Sequence, residues 1–121
     1  MVLHCNGALV TLATADLAKL TRFYGDLFGV QPEVSLGGVY AEFQLPGLRL
    51  GIFRPRSHDG GEFVPGSGAM SLCLQVDNLE DAIAHFQDLG YPPPGDLIVA
   101  SHGREIYVFD PDGNRIILSE K

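Results

Sequence analysis

The most regular pattern of apolar and polar residues lies near the end of the chain, in the sequence Y-V-F-D-P-D-G-N-R-I-I-L of residues 107–118. Two apolar runs flank a turn sequence, in which Pro111 presets φ and Gly113 tolerates positive φ. The pattern predicts a β-hairpin with a three-residue loop, so that Asp110 pairs with Asn114. This loop fixes the register of the two strands.

The predicted register gives this hairpin two different faces, because successive side chains of a strand point to opposite sides. One face is apolar and suited to packing on a helix, and it carries Ile106, Val108, Ile116 and Leu118. The other face carries Tyr107, Phe109, Arg115 and Ile117, with Tyr107 opposite Ile117. Since the first face is committed to the core, the second is the candidate functional surface.

Two helices are predicted by apolar residues at helical spacing, each preceded by a capping residue. The first begins after Asp16 and ends at Gly29, and the second begins after Asn78 and ends at Gly90. Strands are predicted before, between and after the helices, over residues 7–14, 30–35, 39–45, 48–53, 69–76 and 97–101. Pro32 interrupts the second of these strands, which favours an edge position for it.

The two halves of the chain form an internal repeat. The sequence D-L-A-K-L-T-R-F-Y-G-D-L from Asp16 matches N-L-E-D-A-I-A-H-F-Q-D-L from Asn78, 62 residues later. The sequence F-Q-L-P-G-L-R-L from Phe43 matches F-D-P-D-G-N-R-I from Phe109, 66 residues later. Each half reads as strand-helix-strand-strand-strand and is too small to bury both faces of its sheet alone.

The repeat predicts one α+β domain built from two tandem βαβββ modules, which form a cupped mixed β-sheet with the helices outside. The predicted divisions are a first module over residues 1–55, a Gly/Pro-rich linker over 56–68 and a second module over 69–121.

Composition narrows the possible partners. A net charge of −7 and a pI of about 4.8 argue against nucleic-acid binding, which needs a basic face. No apolar run approaches the roughly 18–20 residues of a membrane span, and the first residues do not read as a signal peptide. Cys5 and Cys73 are expected to be buried thiols within strands. We therefore expect a cytoplasmic protein that binds neither nucleic acid nor membrane.

The F-D-P-D-G-N-R-I-I-L hairpin at residues 109–118 and the paired strand–Asp/Asn–Leu–helix openings resemble the vicinal oxygen chelate superfamily. This superfamily includes glyoxalase I, extradiol dioxygenases and bleomycin-resistance proteins, and the resemblance covers nearly the whole chain. It implies that the two modules surround a cup, in which the family enzymes bind a divalent metal through the first and fourth strands of each module. It also implies a homodimer, often with modules exchanged between chains.

The metal-ligand positions implied by the resemblance are occupied here by unsuitable residues. The family histidine stands seven residues before the capping residue, at Leu9 and Ser71 in this chain. The family glutamate stands four residues after the hairpin glycine, at Gly51 and Ile117. Divalent cations need imidazole, carboxylate or thiolate ligands, so we expect neither a metal nor another cofactor.

A ligand is expected on the concave side of the cup, along the first and last strands of each module. Strand alternation assigns this surface to Leu9, Thr11, Gly51, Phe53, Ser71, Cys73, Glu105, Tyr107, Arg115 and Ile117. Arg49 is the repeat equivalent of Arg115, and the two either bracket an anion or lie solvated at the hairpin tips. Tyr40 and Glu42 fall on the helix side in the predicted register of the first hairpin, and in the cup if that register shifts by one residue.

The function that we predict from the sequence is metal-free binding or sequestering of a small molecule, and the acidic balance favours a cationic ligand. The alternative is a family enzyme of lyase or dioxygenase type, with non-standard metal ligands or with Glu105 as a metal-free acid–base group. A structural module with a closed cup is a third hypothesis. Whether the protein is an enzyme stays open at this point.

Overall fold

The computed structural model describes residues 2–56, 63, 64, 66 and 68–121, which form two modules with the same order of elements. The first module contains β1 (Val10–Ala13), α1 (Leu17–Phe28), β2 (Val34–Leu36), β3 (Tyr40–Leu45) and β4 (Leu48–Phe53). The second contains β5 (Leu72–Gln75), α2 (Leu79–Asp88), β6 (Ile98–Ala100), β7 (Gly103–Phe109) and β8 (Arg115–Glu120). This order confirms the predicted α+β fold of two tandem βαβββ modules. The linker predicted over 56–68 lies largely outside the described residues.

Each module forms one four-stranded mixed sheet, in the order β1-β4-β3-β2 in the first module and β5-β8-β7-β6 in the second. β1 runs parallel to β4 and β5 runs parallel to β8, whereas all other neighbours are antiparallel. The first strand of each module is therefore an edge strand. Within the described residues β1 and β5 do not pair with each other, so the two sheets are joined by side-chain packing.

Several strands are shorter than predicted. The strand expected from residue 7 begins at Val10, and the strand expected from residue 69 begins at Leu72. The strand expected over 30–35 lies instead at Val34–Leu36. Its hydrogen bonds to β3 begin only at Glu33, whose N–H donates to Glu42 O at 2.8 Å. Pro32, which has no N–H to donate, thus stays outside the sheet.

Both helices begin where their capping residues predict. The Asp16 carboxylate accepts a hydrogen bond from Lys19 N at 3.1 Å, and the Asn78 side chain accepts one from Asp81 N at 2.9 Å. Such caps satisfy backbone donors that have no partner inside the helix and contribute about 1 kcal/mol each. No helix in the described part of the chain has the length and apolar character needed to cross a membrane.

The helix-facing sides of both sheets share one hydrophobic core with the two helices. Its buried members are Leu20, Phe23, Tyr24, Phe43, Leu45, Leu50, Ile52, Leu79, Phe86, Ile106, Val108, Ile116 and Leu118. The apolar face predicted for the last hairpin is thus confirmed as core. The helices also touch directly, because the Phe23 ring lies edge-on to Phe86 with their centroids 6.0 Å apart.

The hairpin between β7 and β8 has the register predicted from its turn. Tyr107 pairs with Ile117, and Asp110 N donates to Asn114 O at 3.0 Å. Gly113 has a φ of +84°, the left-handed conformation that a three-residue loop requires at this position.

The hairpin between β3 and β4 has a shorter, two-residue loop, because Leu45 pairs directly with Leu48. Glu42 consequently pairs with Gly51, and it shares with Tyr40 the sheet side away from the helices. The predicted register, which placed Tyr40 and Glu42 on the helix side, was wrong by one residue. Since side chains alternate along a strand, this slip moves both residues to the opposite face.

The Asp110 carboxylate connects the two modules. It is 3% exposed and accepts four hydrogen bonds, from Asp112 N, Asn114 N, Asn114 Nδ2 and the Tyr24 hydroxyl. Tyr24 lies on α1 of the other module, is fully buried and donates over 2.8 Å. Burial first, and the charge of Asp110 second, raise the pKa of Tyr24, so the phenol stays a donor at neutral pH.

We predict that Tyr24→Phe lowers the free energy of unfolding by about 1.5–3 kcal/mol, because the buried carboxylate loses one of its donors. Urea unfolding followed by circular dichroism measures this change. Tyr107→Phe is the matched control, since Tyr107 is 39% exposed, and we expect it to change stability by less than about 0.5 kcal/mol. Equal effects of the two variants would show that the Tyr24 hydrogen bond does not stabilise the fold.

A second polar network joins the end of the second sheet to the start of α2. Arg104 lies 2.6 Å from Glu120 Oε1 and 2.9 Å from Glu80 Oε2. The other Glu120 oxygen accepts a hydrogen bond from Leu79 N, the first residue of α2, at 2.7 Å. The Leu79 N–H, followed by Arg104, lowers the pKa of Glu120, and Arg104 lowers the pKa of Glu80. Both carboxylates therefore favour the folded state while they are ionised.

The stability difference between the native chain and Glu120→Gln should accordingly depend on pH. A carboxylate whose pKa is lowered by folding stabilises the protein above its unfolded-state pKa, and this contribution is lost as the pH falls through the folded-state pKa. Urea unfolding at neutral pH and at successively lower pH should show the difference shrinking. Glu33→Gln, on an exposed glutamate of the first module, is the control. A pH-independent difference would contradict this account of Glu120.

Candidate functional site

Each sheet has one face covered by the helices and one face turned away from them, which we call the open face. The open face of the first module carries Leu9, Thr11, Tyr40, Glu42, Arg49, Gly51 and Phe53. The open face of the second module carries Ser71, Cys73, Glu105, Tyr107, Arg115 and Ile117. All ten residues that the sequence assigned to a ligand site thus lie on open faces, four on the first module and six on the second.

The four positions that would hold the family metal fall where the resemblance implies. A Cβ atom built at Gly51 would lie 3.2 Å from Leu9 Cδ1, so these two positions are neighbours. Ile117 pairs with Cys73, next to Ser71 on the same face, and the Ser71 hydroxyl accepts a hydrogen bond from Arg115 Nε at 2.6 Å. These four side chains offer at most one neutral hydroxyl, which does not fit a divalent cation.

No other donor set replaces these positions in the part of the chain that the structure describes. Within residues 2–56, 63, 64, 66 and 68–121, no three His, Cys, Asp or Glu side chains are grouped so that they could hold a metal ion. The residues of this site therefore do not fit the family metal.

On the open face of the first module, Tyr40, Glu42 and Arg49 form a polar cluster. The Tyr40 hydroxyl donates to Glu42 Oε1 at 2.7 Å, and Arg49 Nη1 lies 3.6 Å from Glu42 Oε2. Gly51 leaves the space for this contact, because a Cβ atom there would come within 2.6 Å of the Tyr40 hydroxyl oxygen. Arg49 also donates from Nη2 to Ala8 O at 3.4 Å. The carboxylate thus balances the charge of the arginine.

The protonation of Tyr40 follows from its surroundings. Partial burial and the hydrogen bond to Glu42 raise the pKa of the Tyr40 phenol above its ordinary value. At neutral pH the Tyr40 phenol therefore keeps its proton and donates it to the hydrogen bond with Glu42.

On the open face of the second module, Arg115 is held by different groups. Its Nε donates to Ser71, and its guanidinium carbon lies 5.6 Å from the centre of the Tyr107 ring, a cation–π distance. Glu105 lies further along the face, with Oε2 at 3.8 Å from His102 Nε2. None of the ion pairs among the described residues involves Arg115.

The two open faces are related by the repeat, but Tyr and Glu are exchanged between them. Glu42 pairs with Gly51 in the first module, and Tyr107 pairs with Ile117 in the second, two residues beyond Arg49 and Arg115 respectively. Tyr107 therefore occupies the position of Glu42, and Glu105 that of Tyr40. Sequence reasoning missed this exchange because it aligned both strands of the two hairpins at the same separation of 66 residues. The loops differ in length by one residue, so β3 and β7 correspond at a separation of 65.

A groove of about 380 Å³ lies between the two edge strands β1 and β5. Thr11, Ser71, Cys73 and Arg115 line it, so the structure brings together four of the ten predicted residues from both modules. The other six do not line this groove. A larger cavity of about 940 Å³ beside α1 contains none of the ten.

The two cysteines differ from the prediction. Both are exposed free thiols, and only Cys73 lies in a strand, so the expectation of two buried cysteines within strands was wrong. Cys73 is exposed because it points to the open face, whereas its neighbours Leu72 and Leu74 pack against the core. Cys5 precedes β1, and its thiol contacts Gly7 O at 3.0 Å.

Comparisons with known proteins show that other chains share this fold. Among solved structures, lactoylglutathione lyase from Agrobacterium tumefaciens is 23% identical, with a TM-score of 0.72 over 96% of this chain and 94% of that one. A glyoxalase-related enzyme from Fulvimarina pelagi is 26% identical, with a TM-score of 0.73 over 96% and 88%. A glyoxalase/bleomycin resistance protein from Catenulispora acidiphila is 22% identical, with a TM-score of 0.68 over 94% and 96%.

The curated proteins contain no significant match to this sequence. A family model, however, matches residues 3–118, nearly the whole chain, and it describes the superfamily to which the hairpin and the repeat show a resemblance. The chain therefore belongs to the glyoxalase/bleomycin resistance protein/dioxygenase superfamily.

Proposed function

We propose that this protein is a metal-free member of its superfamily that binds or sequesters a small organic molecule on its open faces. The observation that carries the proposal is the occupation of the four family metal positions by Leu9, Gly51, Ser71 and Ile117. Three of these four positions carry no polar side-chain group, and they lie beside polar side chains such as Glu42 and Arg115. Apolar surface with a small number of placed polar groups is the usual composition of a small-molecule site.

Exposure on the open faces supports a binding role. Leu9 and Tyr107 are 38% and 39% exposed, although both belong to residue types that are usually more buried. Phe53 packs edge-on against Phe63, with ring centroids 5.2 Å apart. Apolar and aromatic side chains that remain accessible on the open faces provide contact area for a ligand.

Metal-free acid–base catalysis is a second candidate function, and the Tyr40–Glu42 hydrogen bond favours it. The Glu42 carboxylate, oriented by the Tyr40 hydroxyl at 2.7 Å, can accept a proton from a substrate. Glu105, which the sequence suggested for this role, lies on the other module and faces His102 instead. The Tyr40–Glu42 pair is therefore the better candidate for an acid–base group.

A homodimer and a cytoplasmic location belong to the same proposal. β1, β2, β5 and β6 are edge strands, and apolar residues are exposed on two of them: Leu36 on β2 is 56% exposed and Val99 on β6 is 80% exposed. Uncovered edges of this kind favour association with another chain. Two exposed free thiols are favoured by a reducing compartment.

The purified chain should retain no stoichiometric Ni, Zn, Mn or Fe after dialysis, because the family positions provide no set of ionic ligands. Native mass spectrometry with elemental analysis of the same sample measures this, and it also detects any organic ligand that copurifies. A metal that survives dialysis and disappears in Glu42→Gln would contradict the proposal and favour a metalloenzyme with non-standard ligands.

In solution, the chain should sediment as a dimer at micromolar concentration, because its four edge strands need cover. Analytical ultracentrifugation over a range of concentrations measures the association. A single monomeric species throughout the micromolar range would overturn the proposed homodimer, and it would leave the ligand-binding proposal to be judged by the mass spectrometry.

A further inference from the structure

Arg115 stands out on the open faces because its charge is not balanced. The chain has 15 acidic and 8 basic residues, yet no carboxylate of a described residue forms an ion pair with Arg115. Its repeat equivalent, Arg49, lies 3.6 Å from Glu42. The difference follows from the exchange described above, since the place of Glu42 is taken in the second module by the uncharged ring of Tyr107.

The Arg115 guanidinium is nevertheless held in place. Ser71 accepts a hydrogen bond from its Nε, and the Tyr107 ring lies beside its cationic carbon. These contacts occupy the Nε edge and one face of the group, and they leave both Nη nitrogens without an acceptor among the described residues. A planar guanidinium with two free nitrogens suits a carboxylate, which it binds through two parallel hydrogen bonds.

The groove between β1 and β5 begins at this arginine. Apolar side chains from the core-facing sides of both modules line it, among them Val10, Leu12, Leu48, Leu50 and Leu72. The groove therefore leads from Arg115 on the open face into the gap between the two edge strands. Arg115 is the one charged side chain among the described residues that line the groove. A volume of about 380 Å³ is enough for a small molecule with an apolar body.

We infer that the ligand of this protein is an amphiphilic monoanion, whose carboxylate pairs with Arg115 and whose apolar body lies in the groove between β1 and β5. This inference rests on the proposed small-molecule function and names the chemical class of its ligand. It differs from the cationic ligand favoured by the overall charge, because the local charge of the groove is positive. Among the described lining residues, an organic cation would meet an unpaired arginine and no carboxylate, an arrangement that disfavours its binding.

Calorimetric titration of the full-length chain tests the inference, with octanoate as the probe. Three control compounds are compared with octanoate. Octylammonium and octan-1-ol have the same alkyl length but a positive or no charge, and acetate has the carboxylate without the long alkyl group. Octanoate should bind at least about tenfold more tightly than each of the other three, since the arginine recognises its charge and the groove its chain.

Three variants assign the binding to Arg115. Arg115→Gln should weaken octanoate at least about tenfold, whereas Arg49→Gln should leave it unchanged, because Arg49 is already balanced by Glu42 and lies outside the groove. Tyr107→Glu keeps the arginine but gives it the neighbour that Arg49 has, so it should also weaken octanoate. Circular dichroism and urea unfolding check that each variant is folded. Arg115→Gln removes the charge and Tyr107→Glu neutralises it, so the two variants test the role of Arg115 independently.

Several results would overturn the inference. Equal binding of octylammonium or octan-1-ol, equal effects of Arg115→Gln and Arg49→Gln, or no binding by any of the four probes each contradict an anionic amphiphile at Arg115. None of these results excludes another ligand on the open faces. The proposed function itself would fail only if native mass spectrometry and a broader ligand screen found no small molecule bound there.

Discussion

The buried carboxylate of Asp110 is the constraint on which the arrangement of the two modules depends. Within its own hairpin it accepts the N–H groups of Asp112 and Asn114, and it thereby holds the three-residue loop closed. Across the module boundary it accepts the Tyr24 hydroxyl. One side chain thus stabilises both the register of β7 and β8 and the position of their hairpin against α1. A buried charge is tolerated because several hydrogen bonds satisfy it.

The register of β7 and β8 has consequences for the open face. Because Tyr107 pairs with Ile117, Tyr107 projects away from the helices and lies beside Arg115. In the first module, the shorter loop turns Glu42 to the equivalent place beside Arg49. A difference of one loop residue between two similar hairpins therefore decides which arginine is neutralised and which remains available.

Much of the fold could be predicted from the sequence, because its signals are local. The caps at Asp16 and Asn78 and the P-D-G turn before Asn114 each act through neighbouring backbone groups, and the structure confirms them. The register of the β3–β4 hairpin could not be fixed in the same way. Gly47 was aligned with Gly113, although the loop containing Gly47 has only two residues. The alternation of Ala41, Phe43 and Leu45, which are all buried, indicates the observed register, but the alignment of the two glycines was followed instead.

The sequence predicted which face of the sheet each site residue lies on, but not which side chains it contacts. Strand alternation placed the ten residues on the open faces, whereas the cluster of Tyr40, Glu42 and Arg49 and the isolation of Arg115 depend on contacts between strands. Such contacts follow from register and from the space left by Gly51, and no local sequence signal encodes them. The two exposed cysteines show the same limit, since residue type alone favours burial for both.

The central claim is that ligands bind on the open faces and not in the larger cavity beside α1. Mapping of backbone amide chemical shifts during titration of the full-length chain with a library of small organic fragments tests it most directly. The account predicts that bound fragments shift the signals of Thr11, Cys73 and Tyr107 and leave those of Thr21 and Gln31, which line the α1 cavity, unchanged. Shifts concentrated at Thr21 and Gln31 with no response on the open faces would contradict it.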